Sequence, residues 1–62
     1  MDIKDAREAG TKAFADGKKR APSLNGTFVE ACDASETPFS VLLIAYLRGW
    51  DRANLAAPIP GF

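Results

Sequence analysis

The side chains with the most chemical potential in this chain are bases set beside aromatic rings. Tyr46, Arg48, Trp50 and Arg52 alternate along one stretch, and Lys18, Lys19 and Arg20 form a basic knot well upstream of it. Rings that stack on bases, together with cations that pin phosphates, are the means by which single-stranded nucleic acid is held. The competing reading is that Tyr46 and Trp50, one helical turn apart, belong to a core, while Arg48 and Arg52 share its wetted side. Spacing alone favours that second reading. For the knot, the plain alternative is that it follows a helix and complements the negative end of its dipole.

Other chemistry is sparse. The chain has no histidine, so it lacks the side chain that acts as a base near neutral pH, and no Ser/His/Asp or Cys/His set can be assembled. Asp2, Asp5 and Glu8 can gather on one helical face, which reads as a solvated first turn and not as a metal site. The lone Cys32 supplies neither an internal disulfide nor a zinc site of ordinary ligand count; it reads as a small half-buried apolar residue. Gly17-Lys18-Lys19 lacks the strand and the full motif of a phosphate loop. The expectation is a protein without catalytic residues, metal or cofactor. Acidic and basic residues number eight each, for zero net charge, which argues against strong non-specific nucleic-acid binding. A single thiol fits a reducing cytoplasm. No secretory pattern is evident, and the apolar run Val41 to Leu47 is far shorter than the roughly 20 residues a bilayer requires, so a soluble cytoplasmic protein is expected.

The elements that must position these residues are helical. Asp2 is an N-cap candidate for a first helix over about residues 3–16, with Asp5 and Glu8 at the positive end of its dipole. Ile3, Ala6, Gly10, Ala13 and Phe14 recur at helical spacing along one thin apolar face. Glu8 and Lys12 are an i, i+4 pair in the better orientation, and Gly17 suits a left-handed C-cap. Residues 17–37 read as a connector punctuated by Pro22, Asn25 and Gly26. Within it Thr27-Phe28-Val29-Glu30 has capping-box spacing and predicts a short helical turn over about 28–32, anchored by Phe28 and Val29; a strand is the alternative there. Thr37 as cap and Pro38 at the first helical position start a second long helix, to about residue 55. Its main stripe is Phe39, Leu42, Leu43, Tyr46, Leu47, Trp50 and Ala53. Val41, Ile44 and Ala45 extend the apolar surface nearly all round its first turns, more than the thin first helix can cover. Residues 56–62, with Pro58 and Pro60, read as an extended tail. The fold class is all-α: a small helical hairpin in one domain, 62 residues long. A chain this short is marginal alone, so self-association is expected.

Interior glycines cost a helix about 1 kcal/mol each against alanine, and Gly10 and Gly49 therefore ask for a reason. Close approach of two helices, with Phe14 and Trp50 beside the glycines, supplies one. These positions also carry a resemblance. Gly10, Ala13 and Gly17 in a Gly-x-x-Ala-x-x-x-Gly helix, then Lys18 to Arg20 and Pro22, then Leu47, Gly49, Trp50 and Ala53 in Leu-x-Gly-Trp-x-x-Ala, resemble the ribosome modulation factor family, including its small relatives. The two blocks span roughly half of the chain. The resemblance implies two helices joined by a linker, a cytoplasmic bacterial or phage protein and, for the founding members, binding to ribosomal RNA and proteins near the messenger channel.

Two functions follow as expectations. One is a ribosome- or RNA-associated modulator in which Lys18, Lys19, Arg20, Arg48 and Arg52 contact phosphates. The other is a small protein-binding module, a phage- or plasmid-type inhibitor or adaptor of a host protein, which would use Val41, Ile44 and Phe62 together with the acidic connector.

Overall fold

The computed structural model describes residues 1–57. Helix α1 spans Ile3–Ala15, α2 spans Gly26–Asp33 and α3 spans Phe39–Ala56, with a single 3-10 turn at Pro22–Leu24. The all-α class is as expected, and no strand occurs among the described residues. The proposed extended tail lies largely outside them.

Local chemistry explains where the helices begin and end. Asp2 and Asp5 form a reciprocal cap: the Asp5 amide donates to Asp2 Oδ1 at 2.8 Å and the Asp2 amide donates to Asp5 Oδ2 at 3.3 Å. The backbone bond to Asp5, the largest influence, holds the Asp2 carboxyl below its usual range. At the other end of α1, Gly17 takes a φ of 76°. That left-handed step lets the Lys18 amide reach the Ala13 carbonyl at 2.8 Å and the Gly17 amide reach Phe14 at 3.0 Å, which satisfies carbonyls the helix leaves open. The expected pair of Glu8 with Lys12 does not form; the Lys12 ammonium goes instead to Asp16, 3.3 Å away, at the helix end.

Two helix starts differ from expectation. Helix α2 begins before Thr27, because the Asn25 side chain accepts from the Phe28 amide at 3.2 Å and so caps the helix. Asparagine competes well for this position, and the Thr27–Glu30 capping box is not used. Pro38 has a ψ of 140° and stands outside α3 as its cap residue. Thr37 therefore does not cap; its amide is taken by the Ser35 hydroxyl.

The arrangement of the long helices departs from a hairpin. The start of α1 lies by the start of α3, where Ile3 lines a groove with Val41 and Ile44. Further along, the Thr11 hydroxyl donates to the Gly49 carbonyl at 3.3 Å, and Phe14 meets Trp50 edge-on at 5.2 Å between ring centres. Beyond α1, the Trp50 indole N–H donates to the Lys18 carbonyl at 3.0 Å. Helices α1 and α3 thus run in the same sense and cross. Helix α2 runs back alongside them in the opposite sense: Asn25 at its start reaches the Tyr46 hydroxyl at 3.2 Å, and Ser35 just after its end bonds to the Met1 carbonyl. The 23 residues between α1 and α3, with a helix of their own, have the length for this return, which a tight hairpin loop lacks.

The core sits where the three helices meet. Ala6, Ala13, Phe28, Cys32, Leu42, Ala45 and Tyr46 are buried. Phe28 packs on Tyr46 with ring centres 4.5 Å apart, while Val29 is only half-buried. The stripe on α3 is rotated from the expected one. Ala45 and Gly49 are inside, and Phe39 is 43% exposed. The rotation follows from size: α1 offers its smallest residues, Ala6, Gly10 and Ala13, and the closest approach is made by matching small residues on α3. A Cβ on Gly10 would collide with the Tyr46 carbonyl oxygen, and one on Gly49 with the Arg7 carbonyl oxygen. Backbone touches backbone at the crossing, which is the reason both glycines required.

Candidate functional site

The same-sense crossing separates charge that the sequence keeps balanced. On the side where the chain starts stand six acids, Asp2, Asp5, Glu8, Glu30, Asp33 and Glu36, with Lys4 and Arg7. Past the crossing stand Lys12, Lys18, Lys19, Arg20 and Arg52, with Arg48 at the crossing itself, against Asp16 and Asp51. A neutral chain therefore has an acidic end and a basic end. An antiparallel hairpin would have interleaved these charges.

Trp50 ties the basic knot to α3. Its indole donates to the Lys18 carbonyl and its ring packs on Phe14. It is thus a packing and positioning residue, in line with the core reading of the aromatic pair; Tyr46 is fully buried. Two residues further on, Arg20 makes a paired contact with Asp51, Nε to Oδ1 at 2.6 Å and Nη2 to Oδ2 at 2.8 Å. The two bonds raise the Arg20 pKa and hold the Asp51 carboxyl below its usual range. Among the described residues, Arg20 is the member of the knot whose charge is already answered. Lys18 and Lys19 line an open groove of about 490 Å³ between the end of α1 and the start of α2, closed at its base by Tyr46. Gly26 and Thr27 form the first turn of α2 on the groove's other wall. Amides in a first turn have no intrahelical partner, and Asn25 occupies only that of Phe28. The groove thus offers two ammonium groups and polar backbone to an anion.

The five bases named from the sequence do not form one surface. Positions two apart on a helix differ by about 200°, so Arg48 and Arg52 lie on the flank of α3 opposite Trp50 and the knot. They share the basic end with Lys18 and Lys19, but not the groove. Arg48 lines a second, shallower groove of about 170 Å³ with Ile3, Arg7, Val41, Ile44 and Ala45. Here Val41 is 37% and Ile44 52% exposed, as expected of an unpartnered face, while Ala45 is only 5% exposed and belongs to the core. Phe62 lies outside the described residues.

Sequence reasoning missed three participants. Ile3 and Arg7 join the second groove because of the crossing, and Asp51 answers Arg20 from 31 positions away; no local spacing signals either. Asn25 as a cap was legible, since an asparagine three residues before a buried phenylalanine is a normal helix start. Cys32 is buried, and burial, the largest influence, raises its thiol pKa, so it is a packing residue rather than a nucleophile. No group of acids and thiols able to hold a metal occurs among the described residues, and no helix among them is long and apolar enough to cross a membrane. Comparison of the chain with protein-family models, with curated proteins and with solved structures returned no match.

Proposed function

We propose that this chain is a cytoplasmic, non-catalytic modulator that associates with the ribosome or its RNA, as its resemblance to the ribosome modulation factor family implies. The observation that supports the reading is the charge separation: five of eight bases stand past the crossing of a neutral molecule, with a sixth, Arg48, at the crossing. Zero net charge is then no obstacle, because counterion release depends on the cations that meet phosphate and not on the sum over the chain. The packing adds support. Gly10 and Phe14 from the first block meet Trp50 from the second, Gly49 lies on the α1 backbone at Arg7, and Trp50 holds Lys18 beside α3. Lys18 and Lys19 are the primary phosphate contacts, Arg48 and Arg52 a second set on the other flank, and Arg20 joins only by exchanging Asp51 for phosphate.

Co-sedimentation with purified ribosomes tests this. Saturable pelleting that weakens steeply between low and physiological salt is expected, with Lys18→Glu/Lys19→Glu abolishing it and Arg48→Glu/Arg52→Glu weakening it less. Absence of pelleting at low salt, or pelleting unaffected by the lysine changes, contradicts the assignment.

A second reading is favoured by the bare groove of Ile3, Val41 and Ile44: a protein-binding module that docks a host protein through the apolar surface of α3. Its binding would tolerate salt and be lost in Ile44→Glu while surviving Lys18→Glu/Lys19→Glu.

A further inference from the structure

The groove beside the basic knot is fastened to α3 on both of its walls. On one wall the left-handed step at Gly17 turns the chain, and the Trp50 indole holds the Lys18 carbonyl at 3.0 Å. On the other the Asn25 side chain donates to the Tyr46 hydroxyl at 3.2 Å. One helix therefore fixes both sides, so a ligand entering between them has little of the site left to order. The space measures about 490 Å³, inside the range of about 300–1,000 Å³ usual for small-molecule sites.

Three kinds of group line this space. Lys18 and Lys19 supply charge, and neither ammonium lies within ion-pair distance of a carboxylate among the described residues. Tyr46, at the base, is fully buried. Its oxygen accepts from Asn25, while the hydroxyl hydrogen has no acceptor among the described residues; buried donors ordinarily have one. Leu24, 78% exposed, adds an apolar face. We propose that the groove is a binding site for the terminal phosphate monoester of a nucleotide. Lys18 and Lys19 answer the phosphate, Leu24 covers one face of the base, and the Tyr46 hydroxyl donates to an acceptor atom of the ligand.

Charge selects a terminal phosphate over an internal one. A monoester carries about two negative charges near neutral pH, which matches two ammonium groups, whereas a diester carries about one. A strand running through the groove would also need cations where it leaves. Arg20 is held by Asp51, and Arg48 and Arg52 stand on the opposite flank of α3. A bare phosphate would leave Leu24 and Tyr46 unused, so the body of the ligand matters as much as its charge. The inference rests on the reading of Lys18 and Lys19 as phosphate contacts, and it does not require the ribosome as partner.

Titration of the full chain with adenosine 5′-monophosphate, followed by amide chemical shifts, tests it. Saturable shifts are expected at Lys18, Lys19, Gly26 and Thr27, and not at Arg48 or Arg52. Adenosine, which lacks the phosphate, should bind about tenfold more weakly or worse, and so should Lys18→Ala/Lys19→Ala, with circular dichroism checking that its helices persist. Ribose 5-phosphate, which lacks the base, should also bind more weakly, and Leu24→Ser should lower the affinity for the nucleotide toward that of the sugar phosphate. A pentaribonucleotide with a 5′-phosphate should bind better than one with a 5′-hydroxyl. If it also binds better than the mononucleotide, the source is an RNA end; if not, a free nucleotide; either supports the site. No saturable shift with either phosphorylated ligand overturns the proposal, and so does equal affinity for adenosine and its monophosphate. Pelleting with ribosomes in the absence of such binding overturns this inference and leaves the ribosomal reading standing, while nucleotide binding without pelleting does the reverse.

Discussion

The two flanks of α3 contrast in what they leave unanswered. On the side toward α1 and the knot, nearly every group has a partner. Gly49 lies on the Arg7 backbone, Tyr46 accepts from Asn25, Trp50 donates to Lys18, and Asp51 holds Arg20. No buried side-chain nitrogen or oxygen among the described residues lacks a partner. On the other side, Val41 and Ile44 stand partly in water beside Arg7 and Arg48. The first flank is built for stability, where small residues permit close contact and polar tips close the edges. The second has no partner among the described residues, which is the usual mark of a surface meant for something else. In a domain this small the two roles cannot be shared, because about 3–5 kcal/mol is all the stability a single core of this size supplies.

The contrast can be broken first at the crossing. Gly10→Ala gains about 1 kcal/mol of helix propensity. It also drives a methyl group into the Tyr46 carbonyl, and overpacking of this kind costs about 3 kcal/mol when the obstacle is backbone. The clash wins, and Gly10→Ala should lose most of the cooperative thermal transition followed by circular dichroism. An unchanged or raised melting temperature would mean that the helices do not touch there.

A smaller effect is expected at the edge of the same flank. Trp50→Phe keeps a ring against Phe14 but removes the indole donor to Lys18, for a loss of about 1 kcal/mol in urea unfolding. It should also loosen the knot, so that ribosome binding falls while the helices remain. Equal stability and equal binding would separate Trp50 from the knot.

Asp51→Asn sharpens the comparison electrostatically. Arg20 depresses the Asp51 pKa, so the ionised pair favours the fold above the ordinary carboxylate value of about 3.9, and its contribution is lost as the pH falls further. The asparagine variant should therefore show a shallower loss of stability in acid, measured by urea midpoints across that range. It should also bind ribosomes more tightly at low salt, since Arg20 is released. Weaker binding would mean that the pair positions the knot and does not restrain it.

The smallest effect belongs to the bare flank. Val41→Ser and Ile44→Ser should change the stability of the monomer by less than about 0.5 kcal/mol. A larger loss would show that this flank is covered within the chain.

Much of this was legible residue by residue. Asp2 and Gly17 mark the ends of α1 through rules that involve only near neighbours, and those rules held. The glycines at 10 and 49 announced a close approach, since nothing else repays their cost in a helix. What stayed hidden depends on direction. Whether α1 and α3 run the same way is set by the path of the connector, and the connector's helix starts at an asparagine cap where the Thr27–Glu30 spacing offered an alternative. The rotation of the α3 stripe toward Ala45 and Gly49 was concealed because burial there rewards small size more than hydrophobicity. The Arg20–Asp51 pair and the place of Ile3 and Arg7 in the second groove come from that same unknown direction.

The acidic and basic ends both follow from the sense in which α1 and α3 cross. The most direct test is a two-dimensional NOE spectrum of the methyl and aromatic protons at low protein concentration. Same-sense packing predicts cross-peaks between Phe14 and the Trp50 indole, and between Ile3 and Val41 or Ile44. Cross-peaks from Ile3 to Leu55, or from Phe14 to Val41, would instead describe an antiparallel hairpin, and with it the acidic and basic ends would disappear.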